Sequence, residues 1–244
     1  MHLRKHNMIK LSELFAYSDF DTIIILDACR YDYYRKFRIA KKVFADATHT
    51  LSSIKHMFPY KYPDTAYVSG NPFINGRHVV FEDYDALDHF ALVDDVWFHG
   101  WETVEGISTV PPWNIFDVAV KYQKRGYKTV IHFVQPHAPY IGKIKFNTHD
   151  FLWSRNVTMG KSGRINSPVE EPRGHKVDVK RLLEAYYYNL RLVLKYAVKC
   201  VNGKTCITSD HGELLGERGL FYHGSPQQPL DHPKLREIPL ETFL

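Results

Sequence analysis

One short run limits the fold of this chain more than any other feature. Thr22-Ile-Ile-Ile-Leu26 is apolar or β-branched throughout and ends on Asp27. A strand with one wet face alternates apolar and polar residues. A run that does not alternate is buried on both faces, as in a parallel sheet covered by helices. Asp27 at its end needs a partner, because an unpaired buried carboxylate is costly. A metal ion, an ion pair with Arg30 or a helix N-terminus would each serve.

The rest of the chain fits that sheet. Ala66–Ser69, Lys128–Val134 and Thr205–Thr208 read as further strands. Helices are expected over 11–18, 50–58 and Ile115–Gln123, the last stopped by Gly126, and over Val179–Cys200. In the longest helix Leu182, Leu183, Tyr186, Leu190, Val193, Leu194 and Ala197 form one stripe. Residues 85–112 look irregular, and 151–175 look like a surface excursion or lid. Strands alternating with helices predict a three-layer α/β/α sandwich with a mainly parallel central sheet, here as one domain over 1–244.

In such sheets ligands bind beyond the carboxyl ends of the strands. Three expected strands end in metal-type residues: Asp27, the Gln135–His137 segment, and Asp210-His211. A carboxylate beside an imidazole suits a borderline or hard cation. An Asp capping the next helix reads equally well from the sequence alone, and Gly212 would permit a sharp turn there. His137 lies in a rigid Pro-His-Ala-Pro loop, and His223 in Tyr-His-Gly after a glycine-rich turn. His2, His6, His78 and His175 read as surface residues. Residues 46–53, Asp-Ala-Thr-His-Thr-Leu-Ser-Ser, open a helix. Hydroxyls there are ordinary caps, yet a helix start also favours anions. A threonine oxygen beside a divalent metal becomes an attacking alkoxide more readily.

Composition narrows the class of function. A formal charge of +5 is mild and unaccompanied by a basic stripe or recognition motif, so it fits an anionic substrate and not nucleic acid. Cys29, Cys200 and Cys206 are odd in number and lack CxxC spacing, so disulfides are not expected. The basic start is not followed by an apolar stretch, and no run is long enough to span a bilayer. The expectation is therefore a cytoplasmic protein.

The motifs taken in order resemble the alkaline phosphatase superfamily, specifically its sulfatase-like branch. They are Ile-Ile-Ile-Leu-Asp27-Ala-Cys-Arg30-Tyr-Asp32, Ala47-Thr-His-Thr50-Leu-Ser-Ser53, His132-Phe-Val-Gln-Pro-His137-Ala-Pro-Tyr140, Thr208-Ser-Asp210-His211-Gly-Glu213 and Tyr222-His223-Gly. Leu235-Arg-Glu-Ile-Pro239 is similar to that family's last core segment. The resemblance implies that Asp27, Asp210 and His211 hold one metal together with the nucleophile. Thr50 best matches the nucleophile, with Thr48 and Ser52 as alternatives. His137 and His223 would bind a second metal or contact the substrate's anionic oxygens, and Arg30 would offset charge on the transferred group. The implied reaction has two steps: attack by Thr50 to form a covalent intermediate, then release by water.

The chain lacks the Cys-x-Pro-x-Arg signature of formylglycine sulfatases, which favours phosphate over sulfate esters. His211 stands where calcium-dependent sulfatases commonly have Asn, which favours zinc or manganese, in one or two ions. Segments near 71–112 and 141–178 would set specificity. The substrate expected is a small anionic ester, or the phosphorylated or sulfated group of a glycan or lipid headgroup. Two further readings stay open: sulfuric-ester hydrolysis without formylglycine, and a non-catalytic anion-binding protein that keeps the fold.

Overall fold

A computed structural model describes residues 9–15, 19–145, 150–161, 178–225 and 230–244. Nine strands are present among them: β1 (Thr22–Leu26), β2 (Lys41–Phe44), β3 (Tyr62–Ser69), β4 (Phe90–Asp94), β5 (Glu102–Val104), β6 (Ile107–Thr109), β7 (Lys128–Phe133), β8 (Thr205–Thr208) and β9 (Glu237–Phe243). The helices are α1 (Leu11–Phe15), α2 (Tyr31–Tyr34), α3 (Thr50–Met57), α4 (Val96–His99), α5 (Pro112–Lys124), α6 (Asp150–Thr158), α7 (Val179–Ala197) and α8 (Pro233–Arg236). Seven strands form one sheet in the order β2-β9-β8-β1-β7-β3-β4, and β5 and β6 form a separate hairpin. From β8 across to β4 the pairing is parallel, and β9 runs antiparallel to both β8 and β2.

The alternation within β1 shows why its apolar run is unbroken. Ile24 and Leu26 face one core with Val68, Ile131, Phe133 and Ile207. Helices α5 and α7 cover that face through Ile115, Ala119, Leu182, Tyr186, Leu190 and Val193. Ile25 faces the other core with Tyr67, Val130 and Cys206, closed by Leu11 of α1 and Leu51, Ile54 and Met57 of α3. Each fully buried aliphatic side chain contributes about 1.5–3 kcal/mol relative to exposure. The three-layer α/β/α sandwich expected from the sequence is therefore present, with a mainly parallel sheet in the middle. All three cysteines are buried free thiols.

Several elements differ from expectation. The helix expected over 11–18 covers Leu11–Phe15, and residues 16–18 lie outside the described residues. Residues 85–112 carry β4, α4 and the β5–β6 hairpin instead of being irregular throughout. The Pro-Pro pair opens α5, with Pro112 at its first position, where a missing N–H costs nothing. Within the expected excursion, Asp150–Thr158 is helical, and residues 162–175 lie outside the described residues. No helix among the described residues is long and apolar enough to cross a membrane.

Candidate active site

Strands β1 and β8 are parallel neighbours, with Ile25 opposite Thr208, so the residues that follow them emerge side by side. Asp27 continues β1, and Asp210 and His211 continue β8. Several bonds tie the two turns together. The Ala28 amide donates to Asp210 Oδ1 at 3.1 Å. Ser209 Oγ accepts from the Cys29 amide at 2.7 Å and reaches the carbonyls of Leu26 and His211 at 2.7 and 2.6 Å. Ala28 adopts φ 57°, a left-handed conformation that residues with a Cβ rarely take. Tyr186 of α7 braces it, donating to the Ala28 carbonyl at 2.7 Å and accepting from the Arg30 amide at 3.0 Å.

Gly212 has another use than the sharp turn expected of it, since its φ is not positive. A Cβ there would collide with the backbone carbonyl of Lys234, and the Gly212 amide donates to the Leu235 carbonyl at 2.8 Å. Glycine lets the β8 turn lie flat against the approach to β9.

Thr50 is the first residue of α3 and is buried beside these turns. Its Oγ1 lies 3.3 Å from His211 Nε2. The same nitrogen lies 3.3 Å from Asp210 Oδ2 and 3.7 Å from Asp27 Oδ1. Those two carboxylate oxygens are buried and accept no hydrogen bond. The His211 Nδ1 is engaged with the Gly212 carbonyl at 2.8 Å, which leaves Nε2 facing the carboxylates. Four oxygen and nitrogen donors thus converge with unused lone pairs, as a divalent cation requires. Asp27, His132 and Asp210 also place one ligand atom each within 4.8 Å of one another. Burial alone would push the Asp27 carboxyl up, but His132, His137 and His211 beside it hold it well below the usual carboxylate range. An anionic Asp27 suits a cation site.

A second group stands next to the first. His137, Glu213 and His223 place one ligand atom each within 4.8 Å of one another. His137 Nε2 is 3.3 Å from His223 Nε2 and 3.8 Å from Glu213 Oε2. The His211 and His223 rings are 4.4 Å apart at their centroids, so the two groups adjoin. Burial, then the neighbouring His211 and His137, pushes His223 well below the ordinary imidazole range, and it is neutral at pH 7. A neutral imidazole can ligate a metal or offer a single N–H to an anionic oxygen.

The sequence-expected residues therefore fall into three sets. Asp27, Thr50, Asp210 and His211 converge on one point. His137 and His223 converge on the adjoining one. Arg30 joins neither: it is buried, with Nε and one terminal nitrogen on Asp32 at 2.9 and 2.7 Å. Its other terminal nitrogen donates to Glu217 and to the Glu213 carbonyl, at 2.8 and 3.2 Å. Arg30 holds the turns in place, with four of its five N–H groups on these partners. Thr48 is buried and Ser52 half-buried, and neither shows a hydrogen bond to the ligand cluster. His78 is on the surface as expected, paired with Asp85 at 2.8 Å, whereas His2, His6 and His175 lie outside the described residues.

Three residues at the site were not picked out from the sequence. Asn71 follows β3 and donates from Nδ2 to Asp27 Oδ2 at 2.7 Å and to Thr50 Oγ1 at 3.5 Å. It is the fourth polar residue just past the carboxyl end of a parallel strand, so the same rule would have found it. His132 lies within β7, with Nε2 3.7 Å from Asp27 Oδ2 and Nδ1 2.8 Å from the Tyr67 hydroxyl. Burial keeps that phenol protonated. Glu213 supplies the carboxylate of the second group and follows His211 by two positions.

No family model matches the sequence, and no curated protein matches it either. Solved structures do match. The chain is similar to the soluble domain of lipooligosaccharide phosphoethanolamine transferase A from Neisseria meningitidis. The TM-score is 0.56 at 12% identity, and the match covers 99% of this chain and 78% of that one. It is also similar to the C-terminal periplasmic domain of phosphoethanolamine transferase EptC from Campylobacter jejuni. There the TM-score is 0.51 at 16% identity, covering 91% of this chain and 78% of that one. A third likeness is to the C-terminal periplasmic domain of EcEptC from Escherichia coli in complex with Zn. Its TM-score is 0.51 at 11% identity, covering 90% of this chain and 71% of that one. At such identities the likeness establishes a shared fold.

Proposed function

With the fold of the alkaline phosphatase superfamily as premise, we propose that this chain is a metal-dependent enzyme that transfers or hydrolyses phosphate esters through Thr50. One observation carries the reading. The Thr50 hydroxyl, at the start of a helix, faces His211 Nε2 at 3.3 Å beside two buried carboxylate oxygens that accept no hydrogen bond. Two of the similar solved structures are phosphoethanolamine transferases by title, and a third was solved with zinc. These titles favour phosphate over sulfate, and zinc is the first of the two metals to try.

Asp27, Asp210, His211 and Thr50 would hold the ion. Bound there, a divalent cation supplies Lewis acidity, lowering the hydroxyl pKa and offsetting charge on the phosphoryl oxygens. The chain's own groups do the rest. Asn71 orients the Asp27 carboxylate and the Thr50 hydroxyl through one amide. The first-turn amides of α3 lack intrahelical acceptors and favour an anionic group above them. His137 and the neutral His223 offer imidazole nitrogens to the oxygens of the transferred group, or join Glu213 around a second ion. In the first step the Thr50 Oγ–P bond forms and the ester P–O bond breaks, the leaving oxygen taking a proton. In the second, the oxygen of water or of an acceptor hydroxyl bonds to phosphorus, the Thr50 Oγ–P bond breaks, and the proton lost by the attacking oxygen restores the Thr50 hydroxyl. Arg30 fixes the turns that carry Asp27 and Glu213.

The test is turnover of an aryl phosphate and an aryl sulfate by zinc- or manganese-loaded protein, with Thr50→Ala alongside. Phosphate cleavage lost in the variant, with metal content retained, is the expected result. Full activity in Thr50→Ala would reject the nucleophile. Tight anion binding without turnover or metal would instead support the non-catalytic reading.

A further inference from the structure

The outer face of α7 carries charge that the site does not use. Arg181, Glu184, Tyr188, Arg191 and Lys195 recur at intervals of three and four, which places them on one face of the helix. Lys180, Arg181, Arg191 and Lys195 are all exposed. Residues 141–145 cross this face as a strap that starts from the His137 loop. Asn189 anchors it, accepting from the Ile141 amide at 3.0 Å and donating to the carbonyls of Pro136 and His137 at 3.2 and 3.1 Å. At Gly142 the strap lies so close to α7 that a Cβ would sit 2.7 Å from the Tyr188 carbonyl oxygen.

Strap and helix border two open depressions of about 560 and 310 Å³ that adjoin at Lys143 and Lys145 and together make up a shallow groove. Its lining includes the cations Lys143, Lys145, Lys180, Arg181, Arg191 and Lys195, against the carboxylates Asp178 and Glu184 alone. Asp178 is occupied in capping α7, and Lys145 pairs with Glu105 at 3.2 Å. Lys143, Lys180, Arg191 and Lys195 have no carboxylate partner among the described residues. From Lys180 to Lys195 the helix rises roughly 22 Å.

We propose that this groove binds a linear anionic polymer, specifically a phosphorylated or sulfated polysaccharide. The spread of unpaired cations along one axis matches repeated anionic groups on a chain, not a single phosphate. None of the large exposed apolar residues Ile9, Ile39, Tyr60, Val80, Phe98, Leu152, Val179 and Leu244 lines the groove. It therefore has little to insert below lipid headgroups. Tyr188 is the single aromatic ring in the lining, and Lys143 Nζ lies 5.4 Å from its centroid, which leaves no stacking platform for nucleobases. Binding here does not depend on the catalytic reading, because it requires neither metal nor turnover.

Anisotropy of fluorescein-labelled dextran sulfate, titrated with the full chain at about 0.1 M salt, tests this. Wild type should bind it, ignore neutral dextran, and weaken steeply as salt rises. The triple change Lys180→Glu, Arg191→Glu and Lys195→Glu should weaken binding about tenfold or more without lowering the melting temperature. The equally exposed set Lys61→Glu, Lys121→Glu and Lys124→Glu should leave affinity within about twofold. If charge reversal unfolds the protein, glutamine at the same three positions should still reduce affinity. No binding by wild type, or equal loss in both charge-reversed sets, would overturn the proposal. Binding of phosphatidylglycerol vesicles in place of dextran sulfate would overturn it in favour of a membrane surface.

Discussion

The amide of Ala28 and the Oδ1 of Asp210 are joined by a 3.1 Å hydrogen bond between the turns that follow β1 and β8. Asp210 therefore has two separable duties, one oxygen fixing the neighbouring turn and the other, Oδ2, left without a hydrogen-bond partner. Asp210→Asn keeps an acceptor for Ala28 while removing the charge. Its metal content by elemental mass spectrometry should fall to background. In chelator, relief of charge crowding beside Asp27 should let this variant melt at or above wild type. Adding zinc should then raise the melting temperature of wild type alone. Asp210→Ala also orphans the Ala28 amide and should cost about 1–3 kcal/mol in urea unfolding. Equal zinc stabilisation of wild type and Asp210→Asn would remove Asp210 from the ligand set.

Asn71 touches Asp27 and Thr50 with the same amide nitrogen, and its Oδ1 accepts from the Phe73 amide at 3.0 Å. Asn71→Ala should keep the metal yet lower kcat between about ten- and hundredfold, as loss of an orienting partner does. An unchanged kcat would show that Thr50 needs no such support.

Gly212→Ala would drive a methyl group into the Lys234 carbonyl. Backbone has to move on both sides, so destabilisation of about 1–3 kcal/mol or more is expected by urea unfolding. Wild-type stability in that variant would contradict the close packing of the two turns.

Asp32 gives the protein an acid-sensitive component. Burial would raise its carboxyl, but hydrogen bonds from Arg30 and Lys234 outweigh that and lower it from 3.8 to about 2. The folded state therefore binds a proton less readily than the unfolded chain. The stabilisation is complete above the unfolded value and is lost as pH falls from 3.8 towards about 2. Urea midpoints of wild type should drop more steeply over that window than those of Asp32→Asn. Parallel slopes would mean that the Arg30–Asp32–Lys234 cluster is not a pH-linked element.

What the sequence made legible follows burial. Strands β1, β7 and β8 are buried along nearly their whole length, so their apolar runs stand out. In β2 only Val43 is buried, and β9 carries Glu237, Pro239, Glu241 and Thr242 within seven residues, so neither has a periodic signature. The site shows the same division. Asp27, Asp210 and His211 were visible because a charged or imidazole side chain directly after a buried strand is out of place without a partner. Asn71 carries no charge and sits in a Gly-Asn-Pro turn, where it reads as ordinary turn chemistry. The assignment of Arg30 to its carboxylates depends on Glu217, brought to it only by the folded loop.

The strand order carries a cost for synthesis. Strand β1 (Thr22–Leu26) leaves the ribosome before both its neighbours; β7 can pair with one of its edges, but the other edge belongs to β8 (Thr205–Thr208), which is made much later still. Until then a flat ribbon of three consecutive isoleucines presents open amides and carbonyls to its surroundings, which is a template for wrong pairing. The nascent polypeptide must shelter that edge, by its own transient contacts or by a chaperone. Yield from fast expression should therefore be limited by aggregation rather than by the stability of the finished molecule.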